Sequence, residues 1–134
     1  MTRVLLLGMA PLPTENTLRS YAAGLRTWQF ARGLRAAGHE VTLVCRRIPH
    51  VYPPDVPPVA TYIDADLGVQ RIDVDEAVCA NERFLRSVLE VFRPDCIVGA
   101  HHYGAELATR LDTALPVWAD LNGHLMAEAQ AKAF

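Results

Sequence analysis

Three short, near-continuous apolar runs constrain this chain more than anything else in it: Val4 to Leu7, Val41 to Cys45 and Cys96 to Val98. A strand with one wet face alternates apolar and polar residues. A run that is apolar throughout belongs to a strand buried on both faces, the habit of parallel sheets. Gly68 to Val74, with Val69, Ile72 and Val74 apolar, and Val117 to Leu121 read as two further strands. The segments between these strands repeat at helical spacing. Such alternation predicts an α/β fold, a Rossmann-like doubly wound parallel sheet with helices on both faces and right-handed crossovers. The expected strand order, counted along the chain, is 3-2-1-4-5, with ligands gathering at the carboxyl edge where the order reverses.

Tyr21, Leu25, Trp28, Ala31 and Leu34 recur at three- and four-residue steps and mark an amphipathic helix. Gly38 stops it as a left-handed cap residue would. Asp75 is placed to cap a second helix, with Val78, Phe84, Leu85, Val88, Leu89 and Phe92 buried and Pro94 ending it. A shorter helix is expected from Gly104 to Asp112. The loop from Met9 to Ser20 is long for a strand-to-helix connection, and long ordered loops in that position usually bind something. Five of the 9 prolines fall between Ile48 and Pro58, an extended surface linker. Too little chain lies on either side of it for two cores, so residues 1–134 are read as one domain.

With 51% hydrophobic and 21% charged residues the composition is that of a globular protein, and a net charge of −2 offers no footprint for nucleic acid. Cys45, Cys79 and Cys96 are odd in number and lack a CxxC pair, against a disulfide framework or a zinc site and in keeping with a reducing cytoplasm. Val4 to Ala10 contains Gly8 and runs into Pro11 and Pro13, so it reads as a first strand, not a leader. Gly8-Met9-Ala10-Pro11-Leu12-Pro13 lacks the later glycines of a dinucleotide fingerprint. Arg46 and Arg47 stand where a reader of an NADP phosphate would, but without those glycines they are read as surface-exposed arginines. There is no phosphate-binding GxxxxGK[ST] loop. His101, His102, Asp120 and His124 show no ligand-pair spacing on one element, so no metal is expected.

The segment GLRTWQFARGLRAAGHEVTLVC, Gly24 to Cys45, opens a helix with glycine and arginine and leads through Gly38-His39-Glu40-Val41 into a strand. It resembles the amino-terminal domain of GT-B glycosyltransferases, especially the retaining family-four type. RPDCIVGAHHYGAELA, Arg93 to Ala108, looks like that family's fourth strand and the histidine-bearing loop after it. Val117 to Leu121 with its Asn122-Gly123 ending is a third match, and the resemblance covers nearly the whole chain in order and spacing. It implies a parent enzyme that moves a sugar from a nucleotide-diphosphate sugar to an acceptor hydroxyl, in a cleft between two domains. The chain would then be the acceptor-side half, partnered by its own C-terminal nucleotide-sugar-binding domain, without a cofactor and inactive alone. A cytoplasmic location follows, with peripheral membrane contact of the parent left open because the family's acceptors are often lipid-linked.

The residues that carry this expectation cluster at strand ends. His101, His102 and Asp120 are the candidate catalytic groups; imidazole ordinarily titrates near neutrality and suits deprotonation of a hydroxyl. Gly8, Gly24, Arg26, Asn122 and Gly123 are the candidate substrate-binding residues, since a helix amino terminus and glycine backbone accommodate a diphosphate or an anionic acceptor. Plainer roles stand beside these: a solvated helix arginine for Arg26, a helix cap for one histidine and simple exposure for the other. Asn122 takes the place where related enzymes often carry a histidine, with His124 two residues later. Glu82 and Glu90 repeat the spacing of that family's donor-gripping glutamates but lie on an ordinary helix, and nothing is assigned to them. The alternative from another class is a free-standing flavodoxin-like binding or regulatory module without catalysis.

Overall fold

The computed structural model describes residues 2–17 and 19–120. Strands β1 (Arg3–Ala10), β2 (Glu40–Arg47), β3 (Val59–Asp64), β4 (Val69–Val74), β5 (Cys96–Gly99) and β6 (Val117–Ala119) form one sheet in the order β3-β4-β2-β1-β5-β6. All neighbours are parallel except β3 and β4, which are antiparallel. The five parallel strands thus keep the expected 3-2-1-4-5 arrangement, and the protein is an α/β structure compatible with a Rossmann-like fold. The antiparallel edge strand β3 is an addition to the five expected strands. Its turn is built by Asp64, whose carboxylate accepts hydrogen bonds from the Asp66 and Leu67 amides, and by Gly68 at φ 67°.

β1 lies at the centre because it is apolar on both faces. Val4 and Leu6 enter a core with helix α1 (Ala22–Ala36), while Leu5 and Leu7 enter a second core beneath α2 (Glu76–Cys79), α3 (Glu82–Phe92) and α4 (His101–Arg110). Three helix boundaries differ from expectation. The helix after Asp75 is broken in two, because Asn81 caps α3 with its side-chain oxygen on the Arg83 amide. Asp75 holds the N-cap position of α2 without capping it by its side chain. α4 begins at His101, three residues before Gly104. On α1 the buried positions are the small residues Ala23, Gly24, Thr27 and Ala31, with Leu25 43% exposed, so the large apolar side chains flank the seam. Gly38, at φ 88°, terminates α1 as expected.

Arg47 is buried and Arg46 half-buried, so neither is the exposed arginine expected. The Arg47 side chain is 6% exposed and pairs with Asp75 at 3.1 Å; that of Arg46 is 16% exposed and pairs with Glu76 at 3.2 Å.

A second buried arginine organises the loop after β1. Arg71 on β4, 2% exposed, meets Asp73 at 2.8 Å, Asp64 at 3.1 Å and Glu15 at 2.7 Å. Glu15 also accepts from the Tyr52 hydroxyl at 2.7 Å, so one cation ties the β1–α1 loop to β4 and to the proline-rich segment. Burial first, and then the bond to Glu15, push the Tyr52 phenol well above its usual range. Removing the cation strands three carboxylates in a poorly hydrated place. Arg71→Met is therefore expected to lose about 3–5 kcal/mol in urea denaturation and to expose residues 11–20 to proteolysis. A loss within about 1 kcal/mol would show that the network is not what holds the loop.

Candidate functional site

The helices after β1 and β5 leave to opposite faces of the sheet, so the carboxyl edge between these neighbours is where a doubly wound sheet collects ligands. Close packing brings both helices onto that edge. A side chain at Gly104 would place its Cβ 2.2 Å from the Leu7 carbonyl oxygen, and one at Gly99 would meet the Gly104 carbonyl oxygen at 2.5 Å. Only glycine allows α4 to begin directly on the ends of β1 and β5. The turn between β5 and α4 is correspondingly sharp. His101 takes it at φ 61°, a left-handed conformation that histidine tolerates better than most residues.

Asp120 follows β6 and fixes this turn. Its Oδ2 accepts from the His101 backbone N–H at 3.1 Å and from Arg26 Nε at 2.8 Å, and its Oδ1 accepts from Arg26 Nη2 at 3.0 Å. The Arg26–carboxylate pair is bidentate, the strongest geometry for such a contact. No acidic residue stands in the first turn of α4 and Ala100 provides no side-chain cap. Asp120 therefore supplies from another strand both the hydrogen bond and the negative charge that a helix start favours. The Arg26 guanidinium, and to a lesser degree the His101 N–H, hold the Asp120 carboxyl below its ordinary 3.8 against the opposing effect of burial. A carboxylate so engaged is a poor proton acceptor.

Three of the expected site residues from distant segments, Arg26, His101 and Asp120, thus come together. His102 joins them: its ring lies 3.9 Å from that of His101 and 4.7 Å from that of Tyr103. His101 and Asp120 are buried at 8% and 6% exposure, whereas His102 is half-buried and Tyr103 exposed. Nδ1 of His102 is sealed from solvent without a hydrogen-bond partner among the described residues. Arg46 approaches from β2, its guanidinium 5.4 Å from the Tyr103 ring centroid.

Gly8 and Gly24 are occupied differently from expectation. A Cβ at Gly8 would lie 2.3 Å from Thr27 Oγ1, and one at Gly24 would lie 1.8 Å from the Pro11 carbonyl oxygen. Both glycines seat α1 against β1 and its loop, so the space at each holds protein. Thr27 completes that seam: its hydroxyl accepts from the Met9 amide at 3.0 Å and donates to the Ala23 carbonyl at 2.8 Å. Asn122, Gly123 and His124 lie outside the described residues. Thr27, Tyr103 and Arg46 were not marked as site residues by sequence; the small stripe on α1 was the available signal for the first of them.

Among the described residues, no group of three or more His, Cys, Asp and Glu side chains is placed to hold a metal ion, and no helix is long and apolar enough to cross a membrane. No protein-family model matches the chain, and no curated protein or solved structure matches it.

The clamp has a pH signature. The Asp120 pKa is depressed in the folded state, so its stabilisation is fully present above the unfolded value of 3.8 and fades as pH falls through the lower folded value. The stability difference between the native protein and Asp120→Asn is expected to be flat from neutral pH to about pH 5 and to shrink below 3.8, measured by urea denaturation across pH. A difference unchanged down to about pH 2 would mean that the charge of Asp120 contributes nothing.

Proposed function

We propose that this chain is the amino-terminal, acceptor-side domain of a GT-B glycosyltransferase of the retaining family-four type. What carries the proposal is the convergence of Arg26, His101 and Asp120, candidate site residues from three separate segments, at the carboxyl edge of the sheet. The Gly38 turn into β2, which the resemblance includes, supports it, and the parallel strand order is compatible with it.

In this reading each residue has a part. Asp120, neutralised by Arg26, holds the β5–α4 turn in its sharp conformation. The turn presents His102 at the edge, where its imidazole orients the acceptor hydroxyl and takes up the proton lost as the new glycosidic bond forms. The bond broken is that between the sugar's anomeric carbon and the nucleotide diphosphate. The donor is held mainly by a second domain, and the partners are the nucleotide sugar, the acceptor and that domain.

The test is sugar transfer by the full product of the gene, assayed with a panel of nucleotide-diphosphate sugars. Transfer is expected from at least one donor, and His102→Ala should lower kcat by about 10²–10⁴ with little change in thermal stability. An open reading frame ending at Phe134, or a full product that transfers no sugar, would overturn the proposal in favour of a binding module without catalysis.

A further inference from the structure

A groove of about 510 Å³ opens beneath the proline-rich segment, at the carboxyl ends of β2 and β4. That volume is in the range of small-molecule sites, about 300–1,000 Å³. Tyr52, Pro53 and Val56 belong to its apolar wall, Ala77 to the opposite wall on α2, and Arg47 and Asp75 to its polar end. The prolines restrict that wall's backbone before any ligand arrives, which lowers the ordering cost of binding.

The polar end is built and incompletely used. Arg47 donates from Nη1 to the Pro57 carbonyl at 2.6 Å and to Asp75 Oδ1 at 3.1 Å. Among the described residues its Nε, sealed from solvent, has no partner and its Nη2 makes no hydrogen bond. Asp75 is half exposed and engages Arg47 through Oδ1 alone, leaving Oδ2 available as an acceptor. Glu76 lines the same end and is paired with Arg46. Arg47 is paired with Asp75, and Glu76 with Arg46 standing just outside the lining, so these four formal charges cancel; His50 also lines the groove. The end therefore favours neither an anion nor a cation; it offers a donor and an acceptor side by side. A hydroxyl group, which donates and accepts at once, matches such a pair.

We infer that this groove binds an uncharged, hydroxylated ligand with an apolar face, of the chemical class of a pyranoside. Its hydroxyls bridge Arg47 Nη2 and Asp75 Oδ2, and its C–H face lies on Tyr52 and the prolines. Glu76 at the rim pairs with Arg46, and Arg46 stacks on Tyr103 beside His102, so the groove adjoins the edge assigned to transfer. The inference rests on the proposed reading in one respect: it makes this ligand the acceptor.

The experiment is saturation-transfer NMR and titration calorimetry on the full chain with methyl glucopyranoside, methyl glucuronide and methyl glucosaminide as probes. The neutral glycoside is expected to bind at least tenfold more tightly than either charged probe. Asp75→Asn is expected to weaken it at least fivefold. Ala77→Leu, which fills the groove from α2 and leaves Arg47 and Asp75 in place, should abolish binding in a protein that is still folded. Preference for the glucuronide, binding unaffected by Ala77→Leu, or no binding of any probe overturns the inference. The two proposals fail separately. Glycoside binding without sugar transfer by the full gene product removes the enzyme reading and leaves the groove. Transfer with an acceptor KM indifferent to Ala77→Leu does the reverse.

Discussion

Asp120 sits at the end of an edge strand, yet its carboxylate reaches elements on both faces of the sheet. It accepts two hydrogen bonds from the side chain of Arg26 on α1 and one from the backbone of His101 at the start of α4. The two helices approach each other at the carboxyl edge, and both bind this one group. Each partner needs it for a different reason: Arg26 gains a bidentate counter-ion, and α4 gains the acceptor and the negative charge that its own sequence does not provide. The left-handed conformation of His101 is sustained by this contact from one side and by Gly99 and Gly104 from the other. Backbone in that region persists where its surroundings over-determine it.

Close approach is the second condition on which the edge depends. α1 lies against β1 because Gly8 leaves room for Thr27, and against the loop because Gly24 leaves room for Pro11. α4 does the same over Leu7 through Gly104. These glycines therefore place helix starts, and the space beside each is filled by protein. The buried Arg71 network has a parallel role, fixing the β1–α1 loop and Tyr52 to the sheet with one cation shared among three carboxylates.

The central strands were legible because burial on both faces leaves runs such as Val4 to Leu7 with no polar residue to confuse the period. β3 was not, because an edge strand with mostly exposed residues carries no such run, and the prolines before it read as loop. β4 carries only an interrupted apolar run for a related reason: Arg71 and Asp73 point inward and break the pattern while satisfying each other. His101 and His102 were legible as edge residues, but the helix start was placed at Gly104, since a residue with positive φ in the first turn has no signature in sequence. Arg26 was marked at the helix start that the resemblance includes and Asp120 by its place after the fifth strand; their pairing across 94 positions obeys no local period and needed the fold.

Under the proposed reading everything at the carboxyl edge exists to present His102 to an acceptor hydroxyl. The most direct test is a crystal structure of the full gene product with a nucleoside diphosphate and an acceptor glycoside bound. The account requires the reacting hydroxyl within hydrogen-bond reach of the His102 imidazole, about 2.6–3.2 Å, with the Arg26–Asp120–His101 contacts intact. An acceptor seated away from this edge, or a hydroxyl held by other groups while His102 stays turned from it, would contradict the account.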